Sequence, residues 1–226
     1  MKDAASATAN FIDANHRASG ESVSRILAAA ESLFAEHGFE AASINEIADR
    51  ASVSKANIFH HFSSKRELYL SVLHNACKDA TTRLQNLEAP TGAFSQRFDA
   101  YASDMLHSML QQEPLHRIMQ RELLSDATGG VAKELAERVF GDKFARLVAI
   151  LRGGQTSGEL RADMDPAMVA IILIAANRFF LTSRNVFKHF PDVNFATDPE
   201  RYTTLLVDIL LHGILRPPMT AVSEER

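Results

Sequence analysis

The sequence predicts an all-α protein of about nine helices, and three observations carry that reading. Apolar residues recur three and four positions apart nearly throughout the chain, which is the spacing of one helix face. Helix starts are marked by capping residues: Ser43 with Glu46, Ser64 with Glu67, and the pairs Asp165-Pro166 and Asp198-Pro199. The best alternating run, Val193–Thr197, is short and lies in a loop between Pro191 and Pro199.

Residues 1–20 are polar and rich in Ala and Ser, and read as a tail without structure. Val23, Ile26, Ala30, Leu33, Phe34 and His37 then line a first helix, which Gly38 is placed to end. A second, short helix covers Ser43 to Arg50. The Ser43 hydroxyl can take a free amide of its first turn while Glu46 reaches back. Ser52, Val53 and Ser54 form a tight turn, and Ser54 caps a third short helix over Lys55 to His61. The Ser64–Glu67 box opens a long helix with Leu68, Val72, Ala76, Ala80, Leu84 and Leu87 on one side.

Ala89-Pro90-Thr91-Gly92 breaks the pattern. Phe94, Phe98, Tyr101, Met105 and Met109 make the next stripe. Pro114 suits a first helical turn ahead of Leu115, Ile118, Met119 and Leu123. After Thr128-Gly129-Gly130, Val131 to Ser157 reads as one helix with a soft spot at Gly153-Gly154. Two apolar helices close the chain. The first carries Met168, Ile171, Ile172, Ala175, Phe179 and Phe180; the second carries Tyr202, Leu205, Leu206, Ile209, Leu210 and Ile214. Each is apolar over more than one narrow stripe, so each is buried on more than one side. A four-helix interface between two subunits and the core of a monomer both satisfy that requirement.

The 226 residues are 46% apolar and 23% charged, which excludes a disordered chain. Cys77 is the single cysteine, so no internal disulfide forms and a reducing, cytoplasmic setting fits. The longest apolar run, Met168–Ala176, falls short of the roughly 20 residues of a membrane span. No membrane association is expected. Nor is an enzyme: there is no Gly-rich phosphate loop, nucleophile elbow, or Cys and His at metal-ligand spacing. No cofactor and no metal are expected.

The net charge is −4, so contact with a polyanion needs a local basic face. Residues 52–66 supply one, with Lys55, Lys65, Arg66, His60 and His61 and no acid. The stretch Ser43 to Leu68 joins two short helices through a tight turn, the arrangement of a helix-turn-helix. A major groove about 12 Å wide admits one helix, whose first residues reach base edges while its neighbours hold phosphates.

Three strings carry a family likeness: ILAAAESLFAEHGF at 26–39, ASINEIA at 42–48 and VSKANIFHHFSSKREL at 53–68. Together they resemble the helix-turn-helix head of TetR-type transcriptional regulators. The resemblance implies a head over 21–68, a ligand-binding and dimerisation domain over 69–216, and a tail over 217–226. It also implies a homodimer joined through the last two long helices, a near-palindromic double-stranded DNA operator, and a small-molecule effector. Repression is the expected outcome. A sensor or interaction module without operator binding is the alternative.

Transferred by position, Ser43 caps the second helix and touches a phosphate, and Asn45 faces bases or phosphates. Lys55, Ala56 and Asn57 become the base readers, with Lys55 suited to guanine and Asn57 to adenine. His60, His61 and Lys65 grip the backbone. Phe59 stands where family members usually carry Tyr; its ring is expected to pack, and a phosphate hydrogen bond is lost. Each of these has a plainer role: Ser43, Ser54 and Ser64 as helix caps, Asn57 as polar trim. His60 and His61 point about 100° apart on a helix and do not chelate one ion.

For the effector, the candidates are Phe98, Tyr101, Met105, Met119 and Phe144, with Asn177 and Arg178 interrupting the most apolar run. Core packing accounts equally well for the apolar members. A buried Arg178 requires a partner, either a ligand carboxylate or an acid such as Glu122.

Overall fold

The computed structural model describes residues 3–77, 79–125 and 130–213. Among the described residues there is no strand. The helices are α1 (Asp3–Ala41), α2 (Ile44–Ala51), α3 (Lys55–His61), α4 (Lys65–Ala76), α5 (Ala80–Glu88) and α6 (Phe94–Gln111). They continue with α7 (Glu113–Ser125), α8 (Gly130–Leu135), a π-turn (Ala136–Phe140), α9 (Gly141–Thr156), α10 (Pro166–Phe187) and α11 (Pro199–His212). Counted through the break at Cys77 and through the π-turn, the helices among the described residues correspond to the expected nine.

The differences from expectation are local. Helix α1 begins at Asp3, so it includes the stretch read as an unstructured tail. Gly38, expected to end the first helix, does break it there at φ 83°, a backbone conformation that glycine adopts without strain, and a short further turn runs on to Ala41. The long helix expected after Ser64 is broken at Cys77, which caps α4 at ψ 8°. The apolar spacing runs unbroken through that point, so periodicity alone does not reveal the break. Likewise, the single helix expected from Val131 contains a π-turn. The break expected at Thr128-Gly129, the candidate partner Glu122 and the tail over 217–226 lie outside the described residues and side chains.

The chain packs as two units: Met1–Thr82 with Gln111–Ala145, and Arg83–Leu110 with Arg146–Arg226. In the first, α1 packs against α2, α4 and α7. Its core joins Ile26, Leu33, Phe34, Ile47, Ile58 and Leu68 of the head to Leu115, Ile118, Met119, Leu135 and Val139. By motif the head ends near residue 68; by packing, α4, α7 and α8 belong with it.

In the second unit, α10 buries Ala170, Leu173, Asn177, Phe180 and Leu181 along one face. Phe180 stacks on Tyr202 of α11 at 4.0 Å between ring centroids. The opposite face of α10 stays in solvent, exposing Met168, Ile171, Ile172 and Phe179, while α11 exposes Leu205 and Ile209. Helix α10 is also long and apolar enough, by length and composition, to cross a membrane.

Candidate nucleic-acid interface and regulatory site

The candidate surface is built by three caps. The Ser43 hydroxyl accepts the Glu46 N–H at 3.2 Å, and the Glu46 carboxylate accepts the Ser43 N–H at 3.0 Å. The Ser43 hydroxyl, and then its backbone N–H, hold Glu46 below the usual carboxylate range. A carboxylate depressed in this way stabilises the fold above its unfolded pKa, and that contribution is lost only as the pH falls through the folded value. The box is therefore intact at neutral pH. Ser54 accepts the Asn57 N–H at 3.1 Å and opens α3; Ser64 accepts the Glu67 N–H at 3.0 Å and opens α4. Ser52 turns the chain between α2 and α3 in the left-handed region, at φ 55°.

These caps leave Asn45, Ser54, Lys55, Ala56, Phe59 and His60 exposed, with Ser43, Asn57, His61 and Lys65 partly so. Ile44, Ile47, Ile58 and Phe62 point into the core. Lys55, Ala56 and Asn57 occupy the first turn of α3, and that turn has no acid. Asn57 Oδ1 is covered and has no hydrogen-bond partner, so presenting both amide atoms to one base requires its side chain to turn. The His60 and His61 rings meet edge-on at 5.0 Å.

Two residues differ from expectation. Lys65 donates from Nζ to the Glu40 carbonyl at 3.0 Å and sits 4.6 Å over the Phe39 ring. It pins the end of α1 to the start of α4, a role that no local pattern announces. Phe59 is 44% exposed rather than packed, so its ring stands on the candidate surface. Phe59→Tyr is therefore expected to tighten DNA binding, because the new hydroxyl is free to reach a phosphate. One hydrogen bond of about 0.5–1.5 kcal/mol corresponds to a roughly two- to tenfold lower Kd. Fluorescence anisotropy on a specific duplex reads this; an unchanged or weaker Kd refutes that placement of the ring.

The effector candidates do not form one constellation within either unit. Met119 lies in the core of the first unit; Phe144 falls in the same unit but is only half-buried and is not part of that core. In the second unit, Phe98 lines a cavity of about 300 Å³ with Phe94, Leu151, Leu160 and Val169. Tyr101 borders another, of about 230 Å³, with Arg83, Arg97 and Asp104. Burial pushes the Tyr101 hydroxyl up to about 12, partly opposed by Arg83. Met105 is buried. Arg178 is half-buried, and Asn177 is fully buried with neither amide atom hydrogen-bonded.

Residues 26–72 match the profile of the bacterial regulatory proteins of the tetR family. The uncharacterized HTH-type transcriptional regulator YdeS of Bacillus subtilis is 31% identical over 69% of this chain and 75% of its own length. This chain belongs to the TetR family. The HTH-type transcriptional activator FasR of Mycolicibacterium smegmatis is 42% identical over 31% of the chain and 37% of FasR. The chain thus matches about a third of FasR, and about half the length of several further regulators. Among solved structures, FadR from Bacillus subtilis in complex with stearoyl-CoA has the same fold. It shows a TM-score of 0.70 and 18% identity over 84% of this chain and 98% of FadR. The family is one of transcriptional regulators, not an enzyme class.

Proposed function

We propose that this TetR-family regulator is a cytoplasmic repressor that binds a near-palindromic operator as a homodimer and is released by a small apolar or amphipathic effector. The observation that carries the reading is the first turn of α3: Ser54 caps it, Lys55, Ala56 and Asn57 stand on it, and residues 52–66 hold no acid. Ser43, Asn45, His60, His61 and part of the Lys65 charge supply the surrounding phosphate contacts. Occupying a promoter is enough to block it, so repression asks nothing more of the head.

The exposed apolar faces of α10 and α11 support the homodimer. Spacing of three to four residues along Met168, Ile171, Ile172, Ala175 and Phe179 makes a seam suited to a second helix pair. Helix α10 carries Arg178 and Arg184 within its span, charges that are costly in lipid, so a protein partner is the better occupant.

Asn177 supports the effector. An unpaired buried polar group costs about 1–3 kcal/mol, and a ligand group that hydrogen-bonds the amide would recover that cost. The FadR neighbour holds stearoyl-CoA, so acyl-CoA thioesters are the first compounds to try. Asn177→Leu is expected to raise the Tm of the ligand-free protein by a few degrees while blunting release by the effector. A lower Tm in calorimetry would show that the amide already has an internal partner.

The reading as a whole is tested by selecting duplexes from a random-sequence pool with the purified protein, then titrating the winner against a scrambled duplex at several salt concentrations. A palindromic winner with a steep log–log slope, about 0.9 per neutralised phosphate, is expected. Equal, weak binding to both duplexes would leave only the sensor alternative.

A further inference from the structure

The first unit contains an ion-pair chain that the DNA-binding residues do not use. Arg138 sits in the π-turn and donates from Nη2 to both carboxylate oxygens of Glu67, at 2.7 and 2.8 Å. Its Nη1 donates to Glu134 at 3.4 Å. The other Glu134 oxygen accepts from Arg66 Nε at 3.0 Å and Nη2 at 2.8 Å. The signs therefore alternate along Arg66, Glu134, Arg138 and Glu67. Arg66 and Glu67 lie in the first turn of α4, and only Phe62, Ser63 and Ser64 separate that turn from the end of α3.

The turn that carries Arg138 is specific to its sequence. A π-turn accommodates one residue more than the α-helix around it, and such turns concentrate at functional positions. Gly141 closes this one: a Cβ there would stand 2.5 Å from the Ala136 carbonyl oxygen. Any other residue forces the turn to shift. Returning it to a regular helix rotates the downstream residues by about 100° per residue removed. Leu135 and Val139, on either side of Arg138, are buried in the core shared with the head, so the turn is seated against that head.

These charges add little to stability. Their side chains are 28–44% exposed, and exposed pairs are worth little in water. Two hydrogen bonds between one guanidinium and one carboxylate do restrict how the groups approach, however, and both Arg138–Glu67 and Arg66–Glu134 have two. An arrangement that interrupts a helix with a π-turn, returns little stability and holds the start of α4 is an orienting device.

We propose that Glu134 and Arg138 are positioning residues for DNA reading: from the π-turn they set the pose of the α4 N-terminus and, through the three-residue link, the presentation of α3. The proposal rests on the DNA-binding reading above. Neither residue touches DNA.

The test uses the full chain and the duplex that the parent protein selects from the random pool. The readout is the ratio of affinities for the selected and scrambled duplexes, because an added charge moves both alike. Arg138→Glu is expected to lower that ratio roughly tenfold with the Tm nearly unchanged, and Glu67→Arg to do the same. The exchanged pair, Glu67→Arg with Arg138→Glu, is expected to bring the ratio back to within about threefold of the parent. Gly141→Ala should act like Arg138→Glu. Glu134→Gln, which keeps size and shape, serves where a charge reversal prevents folding. An unchanged ratio in Arg138→Glu and Glu134→Gln overturns the proposal, as does an exchanged pair that folds without recovery. Those outcomes leave the DNA-binding reading standing. A parent that selects no duplex removes both.

Discussion

Asn57→Ala is expected to weaken specific DNA binding by roughly five- to a hundredfold, and Lys55→Ala by a similar factor, while the fold stays intact. Both side chains leave the first turn of α3, where Ser54 caps the helix through its own hydroxyl and not through theirs. Neither belongs to the core, so circular dichroism and Tm should barely move. The two substitutions should still be distinguishable. Lys55 is an exposed cation, so its loss removes one phosphate-range charge if it lies along the backbone, lowering the salt slope by about one. If instead it reads guanine, the loss falls on one base pair. Asn57 is neutral. Its loss should leave the salt slope unchanged and relax preference at a single adenine, with the affinity for scrambled DNA hardly altered. Competition binding against single-base variants of the selected duplex reads this directly. Uniform weakening by Asn57→Ala across all variants would mean that the covered Oδ1 never turns outward, leaving Asn57 as polar trim.

How much of this was legible in the sequence depends on the range of the interaction that decides each feature. Caps are local, and each was readable: Ser43 with Glu46, Ser54, Ser64, Asp165 and Asp198 all accept the helix amides that their spacing implies. The break at Cys77 was not readable, because the apolar stripe continues on both sides of it. The π-turn was equally hidden: Gly141 is one glycine in a helical pattern, and its meaning appears only from the nearby Ala136 carbonyl. Within the site, exposure was harder than identity. Phe59 and Lys65 are both where the helix-turn-helix motif puts them, yet one stands in solvent and the other is bound to Glu40 and Phe39. Those outcomes depend on neighbours tens of residues away. The effector residues were least legible, since an apolar stripe at helical spacing looks the same whether it lines a cavity or fills a core.

Phe179→Asp on α10 and Ile209→Asp on α11 are each expected to convert a dimer into a monomer at micromolar concentration. Phe179 is 61% exposed and Ile209 51%, while most other large aromatics and aliphatics among the described residues are covered. Side chains of this size gain about 1.5–3 kcal/mol on full burial, so leaving several of them in water is unfavourable for an isolated chain. A second copy related by a two-fold axis offers the same seam in return, and self-complementary apolar faces close into pairs. A carboxylate placed in that seam loses its hydration without gaining a partner. The penalty is at least about 3 kcal/mol, or more than a hundredfold in the dimer dissociation constant, and two-fold symmetry applies it twice. The substituted side chains lie outside the buried face of Ala170, Leu173, Asn177 and Phe180, so each subunit should keep its helical content. Sedimentation equilibrium of the parent and both variants gives the association state. Loss of the dimer should also abolish preference for paired half-sites, because one head retains only its own contacts and forfeits the effective concentration supplied by its tether to the other. Dimeric variants with parental dissociation constants would place the subunit interface elsewhere and leave the α10–α11 seam for another partner.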